Sequence, residues 1–496
     1  MQVFDRPAAP PSYWPAPGQL PPLPQPRLSR RARLLVIGLV VLGLVLTATG
    51  IAFLAGVVSR LGPNSHPDRW DERVAPLATF VELERGLEFD HPVHVNFLTE
   101  AEFREEATVD DGELSGSERD GLESWADQTR ALGLTSGEVD MHDAFNSLSG
   151  DGTLAYYDPA TTSITVRGTE MTVGVEVTLV HELTHALQDQ HFGIGREFDT
   201  DGADTAFRAL VEGDAVRIES YYVGDLTEVR RDAYFEEYDR GYEAASASLD
   251  RVPEAIRTLF GAPYPLGEWF VEVILSDGGQ RALDAAFRDP PDSELALLNP
   301  VSWLARERIQ DVEAPELERG ERETGRGDLG ALTLYTMLAA RMDPADALLA
   351  IDGWDGDAYV AFEEDGDTCV RFSVAGADRD ATGRLHDALA AWAASLAVEA
   401  PAVTRSGGLV TAVTCDPGTA ARRGPDPGRV DEALTVAVTR TEIVTAFLDD
   451  GFTPDEAACV GHGVVTSFTP AEVADDLGGL ASSSALQARV DEIVGR

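Results

Sequence analysis

Two histidines four residues apart, with a glutamate directly after the first, stand in the run Val180-His181-Glu182-Leu183-Thr184-His185-Ala186. The surrounding stretch Thr172–His191 has helical spacing. On a helix His181 and His185 share one face, so their imidazoles can ligate a single metal ion. Glu182 lies about 100° further round the axis. There it is badly placed as a third ligand but can reach a water on the metal and serve as general base. Val177, Leu179, Val180, Leu183, Ala186 and Leu187 make the rest of the helix apolar. A buried helix rarely carries two histidines and a glutamate without a task that compensates their desolvation. The competing reading is a core helix whose histidines are merely hydrogen-bonded.

A catalytic zinc site needs a third protein ligand and an open position. A second expected helix, Thr205–Val223, contains Phe207-Arg208-Ala209-Leu210-Val211-Glu212-Gly213-Asp214-Ala215-Val216. Glu212 is an acidic residue amid an apolar run (Ala209, Leu210, Val211, Ala215, Val216), and enough chain separates it from His185 for a loop and a returning antiparallel helix. Gly213 beside it would let two helices approach closely. Asp214 is the main rival for third ligand, followed by Asp204 and Glu219. Asp189, one turn past His185, and Asp214 are candidates to orient a ligand histidine. Tyr221, Tyr222 and His191 are candidates to stabilise an oxyanion.

The helix carrying His181-Glu182-Leu183-Thr184-His185, followed by a glutamate on the next helix, resembles the gluzincin group of zinc metallopeptidases, which includes the thermolysin-like enzymes. The resemblance implies one catalytic Zn2+ held by His181, His185 and Glu212, with Glu182 as base. It also implies an α+β, zincin-like catalytic domain: a small mixed sheet, an active-site helix and a glutamate helix. Four segments resemble an uncharacterised membrane-anchored bacterial metallopeptidase-like family. They are Val81–Leu87, His181–Phe192, Ala209–Ala215 and Pro263-Tyr264-Pro265-Leu266-Gly267. The chain departs from the thermolysin-like pattern in one respect. That pattern puts an asparagine before the third ligand and an orienting carboxylate four residues after it, where this chain has Val211 and Val216.

The elements that must position these residues are legible around them. Leu34–Val58 carries no charge and is long enough to cross a bilayer. Arg27, Arg30, Arg31 and Arg33 crowd its N-terminal side, against Arg60 alone on the other. That asymmetry predicts a single-pass anchor in the cell membrane, N-terminus cytoplasmic, with the catalytic portion outside. Residues 1–33 are proline-rich and expected to be an extended tail. Residues 59–90 read as linker and helix, with helical spacing over Asp71–Gly86. Residues 91–225 read as the metal-binding domain. Within it His91–Leu98 alternates as a strand, and Gly150-Asp151-Gly152 is a turn before a hairpin of Leu154–Pro159 and Ser163–Arg167. The strand at Ile164–Val166, if at an exposed edge, could pair with an extended substrate. Residues 226–345 read as a helical lobe. Residues 346–420 form an α/β module with strands at Ala358–Phe362, Thr368–Val374 and Leu409–Thr414 and a helix over Asp380–Val398. Residues 421–496 are expected to be helical.

Composition narrows the partners. The chain has 39 basic and 86 acidic residues, a net charge of −47, and all the basic residues are arginine. Such a surface repels nucleic acid. The expected partners are therefore a peptide or protein substrate and, through residues 34–58, the lipid bilayer. Of three cysteines, Cys369, Cys415 and Cys459, the last two lie in the final segment and are expected to form a disulfide outside the cell. The function this predicts is a membrane-anchored zinc peptidase acting on extracytoplasmic proteins or peptides. The alternative is a metal-binding envelope scaffold without activity.

Overall fold

A computed structural model describes residues 66–109, 112, 114–150, 153–396, 402–422 and 424–468. The expected tail 1–33 and membrane segment 34–58 lie outside the described residues, as do Asp151 and Gly152 of the expected turn. Among the described residues no helix is long and apolar enough to cross a membrane.

The chain is mixed α+β with two small sheets. In order it forms α1 (Ala75–Arg85), β1 (His94–Leu98), α2 (Glu100–Ala107), α3 (Gly116–Ala131), α4 (Met141–Gly150), β2 (Ala155–Asp158) and β3 (Ser163–Arg167). It continues with α5 (Val173–Phe192), α6 (Asp201–Asp225), α7 (Glu228–Leu249), α8 (Glu254–Gly261), α9 (Pro263–Arg288), α10 (Leu295–Leu298) and α11 (Pro300–Leu304). Then come β4 (Arg322–Gly327), α12 (Gly330–Ala339), α13 (Pro344–Ile351), β5 (Trp354–Glu364), β6 (Asp367–Gly376) and α14 (Arg379–Ser395). The last elements are β7 (Ala402–Ser406), β8 (Leu409–Cys415), α15 (Arg429–Asp449) and α16 (Pro454–Ser467).

The first sheet has the order β1-β3-β2, with β1 parallel and β2 antiparallel to β3. The expected hairpin is present, but Ile164 and Val166 are not at an edge. β3 is the central strand, paired on both sides, and both residues are buried. The β-branched run Ile164-Thr165-Val166 suits such a two-sided position. β2 lies at the outside of the sheet, yet all four of its residues are buried, because α5 packs against it.

Local chemistry sets the two site helices. Thr172 caps α5 by accepting from Val175 N–H, and Gly193 ends it at φ 66°, a left-handed C-terminal conformation that glycine adopts without steric cost. Thr200 caps α6 in the same way through Ala203 N–H. Leu179, Val180, Leu183, Ala186 and Leu187 pack α5 into a core shared with α1 and the first sheet. On the far side α6 crosses α9, and the two backbones touch at Gly213 and Gly267.

The second sheet runs β4-β5-β6-β8-β7, antiparallel throughout. β4 and β7 are not evident from the sequence, since both are short, largely exposed edge strands without an apolar alternation. The expected Cys415–Cys459 pairing is incorrect. Cys369 and Cys415 stand directly opposite each other on β6 and β8 and are disulfide-bonded. Cys459, on α16, is free and exposed. Strand register, not proximity along the chain, decides which sulfurs meet.

Two buried acids lie where α10, β5 and the start of α12 converge. Glu294 accepts the N–H of Ala331, and Asp357 accepts those of Leu329 and Gly330. Burial, with repulsion from Asp328, pushes Glu294 up to about 8 and Asp357 up to about 7. A carboxyl whose folded pKa is raised stabilises the fold below its unfolded pKa, and that stability is lost as pH rises through the folded value. Unfolding between pH 5 and pH 9 should therefore show a fall in midpoint that is roughly 5 °C smaller in Glu294→Gln than in the wild type. Parallel curves for the two proteins would remove Glu294 as a source of the alkaline loss.

Candidate metal centre

His181 and His185 project from one face of α5 toward Glu212 on α6. All three are buried, and one ligand atom from each lies within 4.8 Å of the others. Glu212 Oε2 is 3.2 Å from His181 Nε2 and 3.3 Å from His185 Nε2. Burial alone would lower the His181 pKa, but Glu212 and Glu219 outweigh it and push the imidazole up to about 10. Against the same burial, the two histidines hold Glu212 well below the usual carboxylate range.

Both histidines are oriented from behind. His181 Nδ1 is 2.9 Å from Glu219 Oε2, and His185 Nδ1 is 3.1 Å from Gln188 Oε1. These acceptors keep a proton on each Nδ1, so a ring that gives up its Nε2 proton to a metal ion would offer the Nε2 lone pair on the side of Glu212. Two imidazole nitrogens and a carboxylate oxygen converging in this way fit a metal ion. The donor set does not fix which ion.

The support continues outward. Gln188 donates to Val211 O at 3.1 Å and to Asp214 Oδ2 at 3.0 Å. Asp214 in turn accepts from Arg85 Nε at 2.6 Å and Arg217 Nη2 at 2.7 Å. Arg85 Nη1 lies 2.8 Å from Asp284 Oδ1. Despite burial, the two guanidiniums hold Asp214 ionised, below its usual range. Arg85 and Asp214 are fully buried, which makes this network costly to break at any one member.

Glu182 stands beside the donor set. Its Oε2 accepts Tyr157 N–H from β2 at 2.7 Å, and its Oε1 is buried with no hydrogen-bond partner. Burial raises its pKa, with the two histidines opposing. From α9, Tyr264 donates its hydroxyl to Glu212 Oε1 at 3.1 Å, and its ring stacks toward His181 with centroids 6.3 Å apart. Arg208, one turn before Glu212, has its guanidinium carbon 6.0 Å from the Tyr264 ring centroid, and its Nε is 3.8 Å from Glu212 Oε1.

The structure thus brings together His181, Glu182, His185 and Glu212. Asp214 acts on His185 only through Gln188. Asp189 does not orient a ligand: its carboxylate accepts Tyr157 OH at 2.8 Å and Ile194 N–H at 2.9 Å, whereas His185 Nδ1 is held by Gln188. The three oxyanion candidates are engaged elsewhere. Tyr222 donates to Glu176 at 2.8 Å, His191 Nε2 lies 2.8 Å from Glu88 O, and Tyr221 is exposed near Arg217. Of the rival third ligands, Glu219 lies two helical turns past Glu212, with its Oε2 on His181 Nδ1 rather than in the donor group. Asp204 lies outside the donor group.

Gln188, Tyr157, Tyr264 and Arg208 have no counterpart among the expected site residues. Gln188 is the most recoverable of these, being three residues past His185 and hence on the same helix face. The others depend on which strands and helices pack together. The four segments quoted for the family resemblance meet here: Arg85, the α5 face, the α6 face, and Tyr264 with Gly267.

Glu219→Gln should keep the fold and weaken metal binding by about 10- to 100-fold, because the acceptor that fixes the His181 tautomer loses its charge. Competition with a chromophoric chelator measures this, with Asp189→Asn as the variant expected to bind as the wild type does. Equal affinities in all three proteins would leave Glu219 no orienting role. No family model, curated protein or solved structure matches the chain.

Proposed function

We propose that the protein is a zinc-dependent peptidase with a zincin-like catalytic unit, anchored through residues 34–58 and acting on peptides or proteins outside the cytoplasm. The observation that carries this reading is the buried, unpartnered Oε1 of Glu182 next to a His-His-Glu donor set. A carboxylate held in that way is suited to taking and returning a proton. His181 Nε2, His185 Nε2 and Glu212 would hold the ion. When bound, zinc supplies Lewis acidity toward a carbonyl oxygen and lowers the pKa of water.

The chain's own residues account for the remaining steps. Tyr157 N–H fixes one oxygen of Glu182 and leaves Oε1 to receive the proton of the attacking water. As the water oxygen bonds to the peptide carbon and the C–N bond breaks, Glu182 delivers that proton to the leaving amine. Tyr264, whose hydroxyl donates to Glu212 Oε1, would hold that ligand carboxylate in place rather than act on the carbonyl oxygen.

A second reading, a metal-holding envelope protein without hydrolytic activity, is favoured by one observation. His181, Glu182 and Glu212 are each 1% exposed and His185 5%, a degree of burial usual for structural sites. Digestion of a peptide library by the metal-loaded full chain, with and without chelator, separates the two. Cleavage abolished by chelator and restored by zinc supports the peptidase. Intact peptides with a fully loaded protein support the scaffold.

A further inference from the structure

Arg208 is more than a counter-charge for Glu212. It sits on the same face of α6 as Asp204 and Glu212, at four-residue spacing, with Phe260 and Tyr264 beside its guanidinium at 5.1 and 6.0 Å. Its Nε and Nη2 are both buried without a hydrogen-bond partner, while the side chain as a whole is 27% exposed. Those two nitrogens form one complete edge of the guanidinium, whose parallel N–H groups match the two oxygens of a carboxylate. Among the described residues no carboxylate fills that edge. Glu212 is the nearest, at 3.8 Å, but its Oε1 takes the Tyr264 hydroxyl and its Oε2 faces both histidines. Asp204 acts on Arg208 only through space. A buried guanidinium with an unmet fork is costly unless an anion completes it.

We propose that Arg208 receives a carboxylate of the substrate, and that this carboxylate is the free C-terminus of a peptide, so that the site removes C-terminal residues. The inference rests on the peptidase reading. Its position argues for the chain end. The fork lies against the third ligand, and about one residue of extended chain spans only ~3.5 Å. A carboxylate held there belongs to the residue just beyond the cleaved bond. On the leaving side of a peptide the carboxylate so close to the reacting carbonyl is the terminal one, or the side chain of an acidic residue at that position.

Binding to the metal-loaded full chain carrying Glu182→Gln, which should not turn over, tests this by calorimetry. Three ligands are compared: an N-blocked tripeptide with a free C-terminal carboxylate, the same peptide as its C-terminal amide, and an amide ending in glutamate. The free acid is expected to bind about 10- to 100-fold more tightly than the plain amide. Adding Arg208→Gln should abolish that preference, and Arg208→Lys, which keeps charge without the fork, should recover only part of it. Tight binding of the glutamate amide alone reassigns the carboxylate to an acidic side chain. Equal binding of all three ligands overturns the proposal, and that comparison needs no Arg208 variant to fold. A preference that survives Arg208→Gln also overturns it. Hydrolysis by the wild type is scored separately. Preference without hydrolysis removes the peptidase reading and keeps the carboxylate site, whereas hydrolysis of acid and amide alike removes the carboxylate site and keeps the peptidase.

Discussion

Glu182→Gln is expected to retain one metal ion per chain and to lower peptide hydrolysis by about 10^2- to 10^4-fold, the range for loss of a positioned general base. The substitution is isosteric, and the glutamine oxygen can still accept Tyr157 N–H. The wild-type carboxyl is already pushed toward its neutral form by burial, so the variant places no new charge demand on the site. The metal should stay because Glu182 is not in the donor group. The contrast is with His185→Ala and Glu212→Ala, each of which removes one of three donors and should empty the site. Metal analysis and hydrolysis must therefore separate in Glu182→Gln and fall together in the other two. Hydrolysis by Glu182→Gln at the wild-type rate would remove the base assignment. Loss of the metal in that variant would make Glu182 part of the donor set instead.

Much of this site was legible because it is written on two helices. The four-residue spacing of His181 and His185 and the placing of Glu212 amid the apolar run Ala209–Val216 are periodicity statements, which survive without knowledge of the tertiary fold. The same reasoning puts Glu219 forward only as a rival third ligand and passes over Gln188. It could not rank Glu219 as the orienting group over Asp189, because that depends on how far α6 slides along α5. The sheet shows the converse limit. Strand periodicity located Ala155–Asp158 and Ser163–Arg167, but the order β1-β3-β2 comes from a parallel pairing across some 70 intervening residues, and no local signal predicts it. Pairing Cys415 with Cys459 failed for the same reason, since Cys369 and Cys415 meet through strand register. Tyr264 and Arg208 were out of reach until α9 was known to lie across α6.

That crossing carries the largest expected effect on stability. A Cβ built on Gly267 would sit 1.9 Å from Ala209 O and 2.8 Å from Ala209 C, and one on Gly213 would sit 2.1 Å from Gly267 C. These neighbours are helix backbone and cannot rotate away. For Gly267→Ala, α6 and α9 would have to part by roughly 1.5 Å to reach ordinary contact. The helices meet in the main core cluster, where Leu210, Leu266, Phe270 and Ile274 are fully buried, so parting them opens cavities along the seam. Gly267→Ala should therefore cost about 3 kcal/mol or more, at or beyond the upper end for overpacking. It should also lose metal binding, since Glu212 adjoins Gly213 and Tyr264 lies one turn before Gly267. Gly241→Ala is the matched control. Its Cβ meets nothing within 4 Å on α7, and replacing an exposed helical glycine should stabilise by about 0.5–1 kcal/mol. Thermal unfolding and metal titration of the two variants decide the matter. A Gly267→Ala protein with the wild-type midpoint and full metal occupancy would mean that the helices do not cross backbone to backbone, and that the placement of Tyr264 and Arg208 against Glu212 must be redrawn.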